Sequence, residues 1–375
     1  MPQNEQRSFF GKSVWDAALL IAGITIGAGE LGLPLSLGQA GYYPAVAGVC
    51  LVYTCTLASG MLIVRLVVES GQDDLPSLFL KCLGANWAAL FNISYFTLAF
   101  CLLVAYWSGL LGLLGGSKLI ICLLGAGVYM GLCRGCRPLK RISSWATIAL
   151  IASFAAMVGF GFCRPGHGLH SISNWRILPL GLPIILCSFG YHQIIPTVCR
   201  RLGYHRPAIR RALVLGTLIP LAVTLIILTL GFRIFSQEEL VEAAKLGVPM
   251  FSLFLDHNAH EVVFIAGRCF SVLAIGTSLL GIAMAMDGAL ADIRWDTKKF
   301  KGLLVMVPLP IALLCPHLFV TILGVAGGVF GNVIAGIVPV MPFLRRPRFH
   351  AGYLILWLIF VGILVVELAR TLRIL

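Results

Sequence analysis

Charge is what this chain has least of. Only 11% of its 375 residues are Asp, Glu, Lys or Arg, against about 25% in an ordinary soluble domain. Acidic residues are the scarcer kind, 15 against 28 Lys and Arg. With 59% apolar residues and a mean hydropathy of +0.96, there is too little polar surface to coat a soluble globule of this size. No stretch is polar enough to form a separate soluble domain. A soluble enzyme is therefore excluded, and the signatures of a membrane enzyme are missing too: there is no HExxH and no GxSxG. Nothing resembles a repeated selectivity-filter loop, which argues against a channel. The twelve cysteines lie mostly inside apolar segments, where a thiol packs as a small apolar group. Cys133 and Cys136 form a single CxxC in a basic loop, without the second ligand pair that a zinc site needs. We expect no metal and no cofactor. The N-terminus shows no basic n-region, short apolar core and cleavage site in sequence, so no removable signal segment is expected.

What is present is a series of apolar runs. The hydrocarbon core of a bilayer is about 30 Å thick and takes roughly 20 helical residues to cross. Eleven crossings are expected near 14–36, 43–68, 87–112, 118–133, 142–163, 178–198, 210–232, 260–286, 302–317, 319–343 and 351–370, the fourth and ninth being short. The net charge of +13 would suit nucleic acid if it were spread evenly. Instead the cations cluster in the gaps: four in "CRGCRPLKR" (133–141), five in "CRRLGYHRPAIRR" (199–211), four in "DIRWDTKKFK" (292–301) and three in "FLRRPRFH" (343–350). Alternate threading puts all four gaps on one side, which the positive-inside rule makes cytoplasmic. The partner is lipid, not nucleic acid. The N-terminus is then expected inside and the C-terminus outside. On the outer side, Ser236 followed by Glu239 in "SQEELVEAAK" (236–245) is a capping-box pattern opening a short surface helix, with "MFSLFLD" (250–256) as an apolar second piece. "DDLPSLFLKCLG" (73–84) is a similar interfacial piece inside.

The first crossing contains "ITIGAGELGLP" (24–34). Gly27, Gly29 and Gly32, with Gly23 just before them, sit beside Glu30 and Pro34, a poor composition for a helix interior. A break in a spanning helix frees backbone groups that lipid cannot satisfy, so it survives only inside protein or along a watery cavity. The freed N–H groups suit a carboxylate. Close helix packing is the plainer use of such glycines. The sixth crossing repeats the pattern: "LPIILCSFGYHQIIP" (182–196) places Ser188, Gly190, Tyr191, His192 and Gln193 before Pro196. Each is the first helix of a five-helix set, as in transporters built from inverted repeats with discontinuous helices. A solute site is expected between the two breaks.

At these residues the chain resembles the hydroxy and aromatic amino acid permease family, which holds the bacterial tyrosine- and tryptophan-specific transport proteins, within the amino acid–polyamine–cation superfamily. The resemblance rests on "ITIGAGELGLPLSLGQAG" (24–41), "SFGYHQIIPTVCRRLGYHRPAIRRALVLGTLIPL" (188–221) and "TSLLGIAMAMDGALADI" (277–293). It implies an all-α fold of the leucine-transporter type: one transporter domain over 1–375, with repeats about 14–163 and 178–343 and an extra helix about 351–370. It implies import of an aromatic amino acid, tyrosine most directly, by proton symport. The Thr25, Gly27, Ala28 and Gly29 stretch would receive the substrate carboxylate. Ser188, Phe189, Gly190 and Tyr191 would offer carbonyls to the ammonium and an aromatic wall to the side chain. Thr277 and Ser278 match an eighth-helix pair that forms a cation site in sodium-coupled relatives of the fold. Glu30 departs from the family, which has an apolar residue there.

Each candidate also has a plainer reading. Ser188 can bond within its own helix, Thr277 and Ser278 can be polar contacts between helices, and Phe189 and Tyr191 can be packing. His192 is either a proton carrier or a satisfied buried imidazole. Tyr95 and Tyr106 in the third crossing could wall a pocket, but periodicity singles out neither. Glu30 and Arg268 are charges inside crossings, which usually pair or serve a pathway. We expect Glu30 to be a coupling carboxylate with Arg268 as its conditional partner and gate, although an arginine there can also snorkel outward. The rival functions are a permease for another neutral amino acid (tryptophan, serine, threonine or a branched-chain substrate), driven by sodium, and a solute-binding sensor. The sensor needs a soluble signalling domain that this sequence does not supply.

Overall fold

In the computed structural model every regular element among the described residues is helical. The structure describes residues 3–372 except 73, 135–136, 164–168, 170–171, 248, 252–261, 293–305 and 348–349. Most of the basic gap 292–301, Cys136 and most of the 250–256 segment lie outside the described residues. Helix is what apolar runs must form in lipid, where each backbone polar group needs a partner from its own segment.

The first crossing is α1 (Gln3–Thr25), a 3-10 turn (Ala28–Gly32) and α2 (Leu33–Leu37). Then come α3 (Tyr42–Ser70), the short α4 (Leu75–Leu83), α5 (Ala85–Leu113), α6 (Lys118–Cys133) and α7 (Arg137–Cys163). The sixth crossing is α8 (Leu178–Ser188), a 3-10 turn (His192–Ile194) and α9 (Ile195–Arg201). It is followed by α10 (Arg206–Ile234), α11 (Gln237–Leu246) and α12 (Val262–Asp292). The last elements are α13 (Pro308–Leu314), α14 (Phe319–Val325), two π-helical stretches (Ala326–Gly331 and Val333–Ile337), α15 (Val338–Leu344) and α16 (Ala351–Thr371).

Eight of these spans are long and apolar enough to cross a bilayer, and the bent pair Ser13–Thr25 and Ala28–Leu37 makes a ninth. The expected count of eleven is not reached among the described residues. The two segments that fall short are the two short ones. α6 has 16 residues and α13 has 7, under the roughly 20 that a perpendicular crossing takes.

The surface pieces follow their local chemistry. Ser236 and Glu239 form the capping box: Glu239 N donates to Ser236 Oγ at 3.2 Å, and Ser236 N to Glu239 Oε2 at 2.7 Å. Helix α11 stops at Gly247, whose φ of 65° is a left-handed cap that costs glycine little. Asp74 caps α4 by accepting from Ser77 N at 2.8 Å.

Contacts between distant segments respect the alternate threading. At one end, Gln237 Nε2 donates to Gly38 O at 2.9 Å and Asn174 N donates to Ala40 O at 2.8 Å. There too, His317 Nδ1 lies 2.9 Å from Leu246 O. At the other end, Arg346 bridges to Glu69 at 2.8 Å and Arg345 Nη1 reaches Leu83 O at 3.5 Å.

Candidate functional site

The two breaks meet. The first crossing bends by 40° between Thr25 and Ala28, where α1 ends and the chain extends through Gly27 (φ −154°, ψ −159°). The second break runs from Phe189 (φ −114°, ψ 36°) to Tyr191, between α8 and the His192–Ile194 turn. A Cβ placed on Gly29 would come within 2.7 Å of Ser188 Oγ and 3.2 Å of Ser188 Cα. A Cβ on Gly27 would come within 2.9 Å of Ser278 Oγ. Close approach to Ser188 backbone favours glycine at Gly29, while at Gly27 only the Ser278 hydroxyl would have to turn aside, so the first break lies against both α8 and α12. In this conformation Gly27 and Gly29 serve close helix packing.

Glu30 is wholly buried. Its Oε2 accepts from Gly27 N at 2.9 Å, and its own backbone N–H also points at the carboxylate. Its Oε1 has no partner. The expected pairing with Arg268 is not formed: Arg268 Nε donates to Leu113 O at 2.9 Å. A carbonyl at the end of α5 satisfies the guanidinium, and the broken helix satisfies the carboxylate.

The remaining candidates divide. Ser188 and Ser278 stand at the first break, and Ala28 is buried within it. Ser188 Oγ makes only a long 3.5 Å contact to Ile184 O. Gly190 is exposed and is the accessible point of the second break. Thr25 and Thr277 bond back into their own helices, to Ile21 O at 2.7 Å and Leu273 O at 2.8 Å. Phe189 and Tyr191 face α3. Phe189 packs on Tyr53 with ring centroids 5.8 Å apart, and Tyr191 donates to Thr56 O at 2.9 Å with its ring over Gly60. His192 stacks on Tyr191 at 4.5 Å, and its Nε2 lies 3.1 Å from the same Thr56 carbonyl. A carbonyl only accepts, so Nε2 carries the proton. Nδ1 is buried without a partner.

Tyr106 is the aromatic residue at the first break. It is buried, hydrogen-bonds Ser278 and lies within electrostatic reach of Glu30 and Cys187. Sequence periodicity could not select it, because α5 is apolar all round and shows no preferred face. The first break thus gathers the hydroxyls of Ser188, Ser278 and Tyr106 and one carboxylate, which accepts from the freed Gly27 N–H. Among the described residues no three His, Cys, Asp or Glu are grouped to hold a metal ion.

Solved structures share this fold. The chain superposes over 99% of its length on 88% of a mutant manganese transporter of Eremococcus coleocola, with a TM-score of 0.62 at 12% identity, a likeness of fold alone. Among curated proteins it is 28% identical to a tryptophan-specific transport protein of Pseudomonas aeruginosa, over 92% of this chain and 89% of that one. It is 29% identical to tyrosine-specific transport system 2 of Haemophilus influenzae, over 83% of this chain and 82% of that one. The tryptophan/tyrosine permease family model matches residues 11–368. With two broken helices in contact and nearly the whole length matched, this membrane-spanning chain belongs to the tryptophan/tyrosine permease family.

Proposed function

We propose that this protein imports tyrosine across the bacterial inner membrane by proton symport, with the two breaks forming the substrate site. The contact between Gly29 and Ser188 carries the reading. It joins two discontinuous helices where freed N–H groups suit a carboxylate and break carbonyls suit an ammonium. Tyr106 beside that contact supplies a π-surface for the substrate ring. A five-plus-five inverted repeat over 14–163 and 178–343, with 351–370 added, accounts for two breaks in corresponding positions. Glu30 is the first candidate for the coupling proton, since it is the carboxylate at the break. His192, with an unpartnered Nδ1, is the second. The cytoplasmic N-terminus follows from the arginine-rich gaps.

Tryptophan is the second reading, because relatives bearing both substrate names match over comparable lengths. Purified protein in proteoliposomes, given an imposed proton or sodium gradient and a panel of labelled amino acids, tests both. Proton-driven tyrosine uptake that tryptophan and phenylalanine inhibit weakly is expected. Saturable leucine or serine uptake untouched by excess tyrosine would overturn the aromatic assignment.

A further inference from the structure

We infer that Glu30 occupies the carboxylate subsite of its own transporter, so that an amino acid binds only when Glu30 gives up the Gly27 N–H, whereas an aromatic amine binds with Glu30 in place. This rests on the substrate site proposed above and adds to it a second ligand class, with a rule for choosing between the two.

The freed N–H groups of a broken helix are the natural seat for a substrate carboxylate. Here that seat is taken. Glu30 Oε2 sits 2.9 Å from Gly27 N, and the backbone N–H of Glu30 adds a second donor. Two carboxylates sharing one donor set in a buried site repel, and the pair is tolerated only when one is protonated. The side chain has no room to yield by drifting into solvent, because it is wholly buried. No cation relieves it, because Arg268 is held by Leu113 O. Tyr106 from α5 and Cys187 from α8 are the titratable groups whose charges reach Glu30, and a phenol and a thiol are both neutral at pH 7. The other packed elements, α2, α10, α12 and α14, bring no charged group to it among the described residues.

The step balances simply. Glu30 takes one proton from water, its neutral acid releases the Gly27 N–H, and the substrate carboxylate takes that donor. Proton and amino acid then enter as one unit, which is what symport requires. An amine has no carboxylate to place. Its ammonium instead finds Glu30 Oε1, the buried acceptor that no protein donor satisfies, with Tyr106 within electrostatic reach of the carboxylate and Ser278 hydrogen-bonded to that phenol. Protonating Glu30 removes that partner. The two ligand classes must therefore respond to pH in opposite directions.

The experiment is equilibrium binding to the purified full-length protein between about pH 5.5 and 7.5, where free amino and carboxyl groups of the ligands hold their charge. The probes are tyrosine against tyramine, and tryptophan against tryptamine. One linked proton allows at most about a tenfold change in affinity per pH unit. The expected result is amino acid binding that weakens at least several-fold as pH rises, and amine binding that strengthens. Glu30→Gln, which keeps the shape without the charge, should flatten both profiles and weaken amine binding about tenfold or more. Parallel or flat profiles in the wild type overturn the inference without any variant. So do unchanged opposite slopes in Glu30→Gln. Absence of aromatic amino acid uptake in the wild type is a different failure, that of the transport reading. The amine profile still decides the role of Glu30 in that case.

Discussion

At the scale of single residues, the two glycines of the first break are not equivalent to their neighbour Gly23. Leucine at Gly29 would drive a branched side chain into Ser188, where even a Cβ comes within 3.2 Å of backbone. Overpacking of this kind costs about 1–3 kcal/mol, and it separates the two breaks. We expect Gly29→Leu to insert normally and to lose uptake, as read by surface labelling and transport in the same cells. Gly23 is exposed, with nothing within 4 Å of an added Cβ. Gly23→Ala should keep full uptake and gain up to about 1 kcal/mol from helix propensity. Tyr191 tests the division between packing and site. Its hydroxyl binds Thr56 O, which His192 also approaches, so Tyr191→Phe leaves that carbonyl a partner. The variant should lose about 1 kcal/mol of stability and retain uptake. A large rise in KM with unchanged melting would place Tyr191 against substrate instead.

At the scale of elements, α11 lies across the α2 half of the first crossing. Leu240 packs on Gly38, and Gln237 ties the helix to Gly38 O and to both backbone groups of Ile172. Ser236→Ala removes one half of its capping box and should cost about 1 kcal/mol, seen as a lower melting temperature of the purified protein. The last helix, α16, is pinned differently. Glu367 is wholly buried and pairs with Arg370 at 2.7 Å, and both press on the glycine face of the π-helical crossing at Gly324 and Gly328. Asn332 on the same crossing donates to Phe360 O at 2.7 Å. Removing one partner of a fully buried ion pair costs about 3–5 kcal/mol, and less here because the Arg370 side chain is 28% exposed. Glu367→Ala should still destabilise more than Ser236→Ala, while Glu367→Gln, which can still accept from Arg370, should lie between them.

At the scale of the whole molecule, the arrangement is an apolar bundle whose two ends differ in charge. Arg200, Arg201, Arg206, Arg210 and Arg211 crowd the end of α9 and the start of α10, and the acidic α11 lies at the opposite end with Gly38 and Asn174. In a cysteine-depleted background, Arg201→Cys should react with a membrane-impermeant thiol reagent only from the cytoplasmic side. Lys245→Cys should react only from outside. The reverse pattern would invert the proposed topology.

The sequence alone determined what depends on solvation and on bonds within a few residues. Scarce charge meant membrane, and arginine-rich gaps meant a bundle with one end richer in cations than the other. Clustered Gly27, Gly29 and Gly32 meant a broken helix, and Ser236 with Glu239 meant a capped surface helix. Each of these is a local cost that a bilayer or a helix end imposes wherever the residues occur. Tertiary structure alone decided which residues share the site. In a membrane bundle the lipid-facing and core-facing surfaces are both apolar, so α5 carries no periodicity that marks Tyr106. Phe189 and Tyr191 sit on the break by sequence, yet the turn after α8 aims them at α3. Glu30 and Arg268 read as a pair because both are charges among apolar neighbours. Each instead found a backbone partner, Gly27 N–H for the carboxylate and Leu113 O for the guanidinium, because a helix break and a helix end leave backbone groups free to satisfy a charged side chain.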